Sequence, residues 1–193
     1  MKNKSSKYNK KIEKELRNKI ILVTGGAGSI GTILVNRLLE YPVNSVRVLD
    51  INEHALFTMK QKIKNTKLRL LLGSILDKER VEMAGKDVDI IFHLAAVKNI
   101  EISEFNPIET IDTNINGTVN MIKMAMKNQP KKFLNISTDK AVESSTLYGA
   151  TKLLGERLAT WAGLHSSPTK FGTVRFGNIF EAKGNVFEVW EEQ

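Results

Sequence analysis

A tyrosine and a lysine four residues apart could form an acid–base site. Tyr148 and Lys152 fall in a helix that we predict over residues 146–162, so their side chains share one face. A phenol has a pKa near ~10, and action as a base near neutrality requires that pKa to fall by roughly three units, about 4 kcal/mol. A neighbouring cation such as Lys152 favours the phenolate. Because such a pair often arises by chance, its meaning depends on the elements around it.

A glycine-rich turn lies upstream of this pair. Residues 24–31 read TGGAGSIG and place Gly25, Gly28 and Gly31 between a predicted strand and a predicted helix. Gly25 permits the tight turn, Gly28 lets the backbone approach a pyrophosphate, and Gly31 packs the helix closely. The amides at the helix start then face the phosphates. The spacing therefore predicts a dinucleotide-binding turn.

An acidic residue follows at the expected distance. Asp50 ends the next predicted strand, 19 residues after Gly31, where a carboxylate accepts hydrogen bonds from an adenosine ribose. Its charge would repel a 2′-phosphate, and no Arg or Lys directly follows it, so NAD is favoured over NADP. A bound cationic nicotinamide would join Lys152 in lowering the pKa of Tyr148. The predicted cofactor contacts of these segments are Gly25, Gly28, Ser29, Ile30, Gly31, Asp50 and Asn52.

Short apolar runs alternate with longer helical patterns along the chain. The runs at residues 20–24, 46–50, 68–72, 89–94, 133–137 and 173–176 are apolar almost throughout, as strands covered on both faces must be. Predicted helices occupy residues 29–39, 54–64, 78–84, 108–128 and 146–162. The alternation predicts an α/β fold, a Rossmann-type doubly wound parallel sheet with helices on both faces.

The positive charge is concentrated at the amino terminus. The 193 residues carry a net +8, of which residues 1–19 account for +6 through eight basic residues and two glutamates. The remainder holds only +2, which is weak support for a nucleic-acid partner. We therefore predict a basic tail over residues 1–19, mostly solvated although residues 8–18 could form a short helix, and one NAD(P)-binding domain over residues 20–193.

Other residue types exclude several classes of site and location. The sequence has no Cys and only three His, which do not cluster at metal-ligand spacing, so no metal site is predicted and His93 is expected to be a packed residue. No stretch of eighteen apolar residues is present, so no membrane span is predicted. A reducing, cytoplasmic location fits this composition.

Three segments carry a family resemblance. TGGAGSIG, FHLAAVKNIEISEFNPIETIDTNINGT at 92–118 and STDKAVESSTLYGATKLLGERL at 137–158 resemble the extended short-chain dehydrogenase/reductase family. More narrowly, they are similar to its polysaccharide-biosynthesis branch, the UDP-N-acetylglucosamine 4,6-dehydratases that invert C5. The resemblance runs from about residue 19 to about residue 186. It implies a nucleotide-sugar substrate, UDP-linked, and assembly into a homo-oligomer.

The resemblance also implies catalytic roles. Thr138 would orient the sugar 4-hydroxyl, and Tyr148 would take its proton as hydride leaves C4. Lys140, as a neutral amine, would abstract the C5 proton, and Asp139 would protonate the departing C6 hydroxyl. Hydride return to C6 would leave a 4-keto-6-deoxy sugar. With Lys152, these are the predicted catalytic residues.

Further positions match family contacts. Small residues after the fourth strand let the cofactor lie against the sheet, and Lys98 and Asn178 match substrate-side positions. Asn114 matches an asparagine that braces the active-site backbone. The predicted cofactor contacts added by the resemblance are Ser74, Ile75, Ala95, Ala96, Val97, Asn114, Tyr148 and Lys152.

The sequence departs from the family pattern in three places. Ser74 stands where the family commonly has the aspartate that meets adenine, and Glu181 would repel a pyrophosphate. The carboxy-terminal substrate lobe of the family is expected to be largely absent from this chain. Two alternatives therefore remain: a nucleotide-sugar 4-epimerase, which shares Tyr148 and Lys152 but needs no acid–base pair, and a catalytically silent NAD-binding module.

Overall fold

A computed structural model describes residues 2–165 and 168–179. The strands are β1 Ile20–Thr24, β2 Ser45–Asp50, β3 Leu68–Leu72, β4 Ile90–His93, β5 Lys132–Thr138 and β6 Lys170–Phe176. The helices are α1 Lys2–Leu16, α2 Ser29–Leu39, α3 Glu53–Lys62, α4 Lys78–Gly85, α5 Ile100–Phe105, α6 Pro107–Ile111, α7 Gly117–Asn128 and α8 Leu147–His165. A π-helical turn, Asp112–Asn116, joins α6 to α7, and a 3-10 turn, Asp139–Ala141, follows β5.

The described strands form one parallel sheet in the order β3-β2-β1-β4-β5-β6. The chain moves outward from β1 to β3, then returns to the other side of β1 with β4, so a crevice opens between the carboxyl ends of β1 and β4. The predicted Rossmann-type fold is confirmed. Each predicted strand overlaps the observed one and differs by no more than three residues at either end.

Two apolar clusters cover the two faces of the sheet. On one face, α2 and α3 pack Val35, Leu38 and Leu56 against Ile21 and Val23 of β1. On the other, the cluster includes α4, α7 and α8, with Met121, Met124 and Ala162 near Leu22, Ile91 and Phe133 of the strands. Successive β1 residues therefore point into different clusters, as a strand buried on both faces requires. No helix among the described residues is long and apolar enough to cross a bilayer.

The amino-terminal segment differs from the solvated tail that the sequence predicts. Residues Lys2–Leu16 form α1, and Leu16 is buried in the same cluster as Val43 and Val46. Glu15 pairs with Lys132 at the start of β5, at 2.6 Å. The last turn of α1 therefore contacts the sheet, and the domain boundary at residue 20 stays a prediction.

The predicted helix over residues 108–128 is interrupted. A π turn separates α6 from α7, and Pro107 stands at the first position of α6. The short helix α5 was absent from the prediction, although Asn99 caps it by accepting a hydrogen bond from Ile102 N at 2.9 Å. Its six residues are too few to show a helical repeat in sequence.

Candidate active site

The glycine turn is held by contacts between backbone segments. Gly25 has φ +65°, and a Cβ placed there would lie 2.7 Å from Ala95 N. A Cβ on Gly31 would lie 2.5 Å from Gly26 Cα, so α2 packs directly on the turn. Gly28 is the N-cap of α2 and supplies no side chain to the amides of the first turn. The start of α2 therefore has no side-chain cap from Gly28, and a helix N-terminus favours an anion.

The carboxylate of Asp50 is oriented beside this turn. Its Oδ2 accepts from Ala27 N at 3.0 Å, and its Oδ1 accepts from Asn52 N at 3.0 Å. Both oxygens retain a second acceptor position. Asn52, predicted as a cofactor contact, instead caps α3 by accepting from Ala55 N at 2.9 Å and does not line the cavity.

A cavity of about 720 Å³ lies at the carboxyl edge of the sheet. It extends from the glycine turn to the start of α8, so it brings together most of the residues that the sequence predicts. The predicted residues that line it are Gly25, Gly28, Ser29, Ile30, Gly31, Asp50, Ser74, Ile75, Ala95, Ala96, Val97, Lys98, Thr138, Lys140, Tyr148, Lys152 and Asn178.

Lining residues that the sequence analysis did not predict include the polar residues Asn99, Glu101 and Thr113. Asn99 and Glu101 lie at the start of α5, and Thr113 lies in the π turn. The prediction relied on a regular alternation of strands and helices, and neither the start of α5 nor the π turn belongs to that pattern. Glu181, which was expected to repel a pyrophosphate, lies outside the described residues.

Asn114 lies beneath the cavity and braces its floor. It is buried in the π turn, where its Oδ1 accepts from Val97 N at 2.8 Å. Its Nδ2 donates to Val97 O at 2.9 Å and to Thr151 Oγ1 at 3.0 Å. Asn114 thus ties the loop after β4 to α8. It does not line the cavity, and its contacts match bracing rather than the predicted direct contact with cofactor.

His93 extends this network to β1. Its Nδ1 lies 2.7 Å from Thr24 Oγ1, and its Nε2 lies 3.0 Å from Thr118 Oγ1. Because the Thr118 hydroxyl donates to Asn114 O at 2.7 Å, it accepts from His93, which assigns the imidazole proton to Nε2. Burial, with the charge of Lys152, lowers the pKa of His93 to about 3. His93 is therefore neutral and packed, as expected.

The Tyr148 phenol is not activated by its protein surroundings. Burial raises its pKa above the ordinary value, a hydrogen bond with the Thr138 side chain lowers it, and the charge of Asp139 raises it. The net direction is upward, opposite to the lowering that a base near neutrality requires. The Tyr-xxx-Lys spacing does not show whether the side chain is buried. A further positive charge in the cavity is needed to lower the pKa of Tyr148 below its ordinary value.

Lys152 is buried beside Tyr148 and is 8% exposed. Burial lowers its pKa to about 8, and the charge of Glu156 opposes that change. The ammonium form therefore predominates at pH 7. Lys152 can supply positive charge to the cavity at neutral pH and loses it in mildly alkaline solution.

An acid–amine pair lies where β5 ends. Thr138 Oγ1 donates to Asp139 Oδ1 at 2.9 Å, and Lys140 Nζ donates to the same oxygen at 3.1 Å and to Asn178 Oδ1 at 3.1 Å. The Thr138 and Lys140 hydrogen bonds hold the pKa of Asp139 below its usual value. Asp139 itself does not line the cavity, but its partners do. Gly149 packs directly on Lys140 O, which fixes α8 against this corner.

The remaining predicted contacts have structural partners of their own. Ser74 Oγ accepts from Leu76 N at 3.1 Å, which shapes the loop after β3. Ile75 is buried and packs against Gly117.

In residues 2–165 and 168–179, no three His, Cys, Asp or Glu side chains lie close enough to hold a metal ion.

Comparison with known families and proteins adds to this geometry. Residues 21–193 match the family described as polysaccharide biosynthesis protein. An uncharacterized membrane protein of Methanocaldococcus jannaschii is 45% identical over 179 residues, which are 92% of this chain and 54% of that protein. The UDP-N-acetylglucosamine 4,6-dehydratase (inverting) of Campylobacter jejuni is 40% identical over 87% of this chain and 51% of its own length. A UDP-glucose 4-epimerase of Rickettsia bellii is 32% identical over 91% and 53%.

Solved structures show the same fold. Pen from Bacillus thuringiensis superposes with a TM-score of 0.89 at 37% identity, over 92% of this chain and 56% of that one. Bordetella bronchiseptica WbmF in complex with NADH superposes with a TM-score of 0.74 at 26% identity, over 86% and 51%. The chain thus spans about half the length of the curated relatives it matches.

Proposed function

The chain belongs to the polysaccharide biosynthesis protein family, and from that premise we propose that it is the cofactor-binding portion of an NAD-dependent nucleotide-sugar 4,6-dehydratase. One observation carries the proposal. A single cavity joins the glycine turn and Asp50 to Thr138, Lys140, Tyr148 and Lys152. Dinucleotide binding and proton transfer therefore have adjacent places at one edge of the sheet.

The residues at the turn fit a dinucleotide. Gly28 places no side-chain cap on the start of α2, which would face a pyrophosphate, and Asp50 keeps acceptor positions for ribose hydroxyls. Ala95 and Ala96 line the cavity with small side chains next to the turn. NAD held by these residues would supply the hydride acceptor and donor for the reaction and a positive charge in the cavity.

The first proton transfer would fall to Tyr148. Its phenolate form would take the 4-hydroxyl proton, and Thr138, which lines the same cavity, would orient that hydroxyl. Lys152 would stabilise the phenolate with its charge. The resulting 4-ketone makes the C5 hydrogen acidic, which prepares the elimination.

The elimination would use the pair formed by Lys140 and Asp139. Lys140 as a neutral amine would remove the C5 proton, and Asp139 as an acid would protonate the C6 hydroxyl, which leaves as water. The pair now holds an ammonium and a carboxylate 3.1 Å apart. Transfer of one proton from the Lys140 ammonium to the Asp139 carboxylate gives the neutral amine and the carboxylic acid without changing the total charge. A sugar covering the corner would favour this neutral pair, because low polarity disfavours separated charges.

The substrate we propose is a UDP-linked N-acetylhexosamine, in line with the dehydratase relative. Lys98 and Asn178 line the cavity and would contact this substrate. Exposed apolar side chains on the neighbouring helices, among them Phe105, Ile108 and Trp161, support assembly with a second copy. A cytoplasmic location remains a prediction.

Mass spectrometry of UDP-N-acetylglucosamine incubated with NAD and the full-length protein tests the reaction. We expect a product lighter by one water. A product of unchanged mass but altered chromatographic position would identify the 4-epimerase, the activity of the Rickettsia relative, and would overturn the dehydratase. Cofactor binding without any product would identify a silent module.

The proposed roles predict different losses in two variants. Lys140→Met should abolish exchange of the C5 proton with deuterated water but leave transient formation of reduced cofactor, whereas Tyr148→Phe should suppress that formation as well. Lys127→Met, a change on an exposed face of α7, is the matched control for the lysine substitution. Normal C5 exchange in Lys140→Met would remove Lys140 from the base role.

Cofactor choice is tested separately. Asp50→Ala should weaken NAD binding by about 1–3 kcal/mol, the cost of a lost hydrogen bond to a charged group, and should affect NADP less. Calorimetric titration of both cofactors measures the difference. Tighter binding of NADP than of NAD to the unmodified chain would contradict the role of Asp50.

A further inference from the structure

A buried carboxylate near the cavity has no part in the proposed chemistry. Glu156 lies on α8 with only 13% of its side chain exposed. Arg175 of β6 donates through Nε to Oε1 and through Nη2 to Oε2, both at 2.7 Å. Ser137 of β5 donates to Oε1 at 2.5 Å. Side chains from two strands thus hold this carboxylate in one orientation, and the paired contacts with Arg175 are the strongest arrangement that a guanidinium can make.

Glu156 lies one helical turn beyond Lys152, on the same face of α8. A buried ammonium without a counter-charge is costly, since burial removes its hydration. The two groups act on each other: the charge of Glu156 raises the pKa of Lys152, and that of Lys152 lowers the pKa of Glu156.

The other titratable groups around Lys152 do not supply a counter-charge. Tyr148 precedes it on α8 and is protonated, and His93 faces it from β4 as a neutral imidazole. Asp139 is tied to Lys140 in the 3-10 turn. Of the described residues, Glu156 is therefore the one whose charge offsets the burial of Lys152.

We propose that Glu156 is a positioning residue: it is the buried counter-charge that keeps Lys152 a cation in the cavity, and Arg175 sets how much of its charge Lys152 experiences. Arg175, which is not among the residues that line the cavity and whose side chain is 44% exposed, neutralises part of the carboxylate. Removing Glu156 should make Lys152 easier to deprotonate. Removing Arg175 should make it harder, because an unshielded carboxylate remains one turn away.

The inference rests on the proposed function only in taking Lys152 as a residue of the cofactor site. Its test needs neither substrate nor cofactor. The chain is labelled with 13C at the lysine ε-carbons and titrated by NMR, and the Lys152 signal is identified by its loss in Lys152→Met. The unmodified chain should titrate at about pH 8. Failure of the dehydratase assay would leave this result intact.

Two variants should move the Lys152 midpoint in opposite directions. Glu156→Gln keeps the size and the acceptor oxygen but removes the charge, so the midpoint should fall below that of the unmodified chain. Arg175→Met keeps an unbranched side chain but frees the carboxylate, so the midpoint should rise. Glu82→Gln, which breaks the exposed pair with Lys127, is the matched control and should leave it unchanged. Each shift should be on the order of a tenfold change in the ionisation constant, one pKa unit.

If Glu156 and Arg175 have only a structural role, the Lys152 midpoint should respond differently. If both changes simply loosened α8, water would reach Lys152 and the midpoint would rise in both variants, which would overturn the proposal. Unchanged midpoints would also overturn it. Should Glu156→Gln fail to give a cooperative thermal transition, Glu156→Met replaces it: this change also removes the charge on a side chain of similar length, and the midpoint should again fall below that of the unmodified chain.

Discussion

Polar and charged side chains are partly exposed at the amino edge of the sheet and buried at its carboxyl edge. At the amino edge, Asp89 accepts from Lys19 Nζ and Ile20 N, both at 3.0 Å, while Lys131 lies 3.9 Å away and is 65% exposed. At the carboxyl edge, His93 and Lys152 are almost fully buried. Charges at the first edge remain in contact with water and cost little, and polar groups at the second carry a penalty for burial. The penalty is concentrated at the edge of the sheet where the cavity lies.

The largest expected effect is at the glycine turn of the carboxyl edge. Gly25→Ala should lower the free energy of unfolding by about 2–4 kcal/mol, because the methyl group meets the Ala95 backbone and the residue must hold a left-handed conformation. Gly172→Ala is the matched control, since its Cβ would meet only Leu134 Cδ1 at 3.7 Å. Denaturant unfolding measures both. Equal losses in the two variants would mean that the turn is not held by backbone contact.

A smaller effect is expected from acidification, through the imidazole at the same edge. The pKa of His93 is about 3 in the folded chain and has its ordinary value of 6.5 in the unfolded chain, so only the unfolded chain takes up the proton between these limits. Stability linked to His93 is therefore complete above pH 6.5 and is lost as the pH falls toward 3. Between pH 7 and 5 the loss should be about 2 kcal/mol.

The contribution of His93 is separated by a variant. His93→Gln should show a shallower dependence of unfolding free energy on pH than the unmodified chain, by up to about 1.4 kcal/mol per pH unit below pH 6. Identical pH dependence in the two proteins would show that His93 does not remain neutral in the fold, and the contrast between the edges would lose its main support.

The smallest effect is expected at the amino edge. Asp89→Asn keeps an acceptor for Ile20 N but removes the charge that faces Lys19 and Lys131. The loss should be below about 1 kcal/mol in dilute buffer and should shrink at 1 M salt, because exposed pairs are screened. Thermal melts at two salt concentrations measure it. A loss above that of Gly25→Ala would reverse the comparison.

The fold could be predicted from sequence where the periodicity was strong. The β1 run and the α2 run match the structure residue for residue, since an apolar strand followed by a glycine turn has few alternative conformations. The prediction was wrong where local signals were short or mixed: α5 has six residues, and the π turn inside residues 108–128 leaves the apolar pattern nearly intact. A π turn needs tertiary contacts to define it, and Asn114 supplies them.

The candidate site could be predicted as a set of positions but not as a set of protonation states. Glycine spacing and the Tyr148–Lys152 pair placed the right segments around one cavity, because parallel strands end at the same edge. The protonation states of these residues depend on burial instead. It raises the pKa of Tyr148, whereas the sequence suggested lowering, and it makes Glu156 relevant although nothing in its spacing from Arg175 signals contact. These effects depend on which side chains cover one another, which a single sequence does not encode locally.

The π turn also sets the angular phase of the helices on either side of it. Each residue of an α-helix advances the side chain by about 100°, so one additional residue in a turn rotates everything beyond it by that angle. Thr110 is buried before the turn and Met121 after it, so the wider turn lets both α6 and α7 keep a buried face. Deleting a single residue from Asp112–Asn116 would leave the composition almost unchanged. It would, however, remove the wide turn that holds Asn114 against Val97 and Thr151, so this stretch of chain tolerates exchange of side chains far better than a change in length.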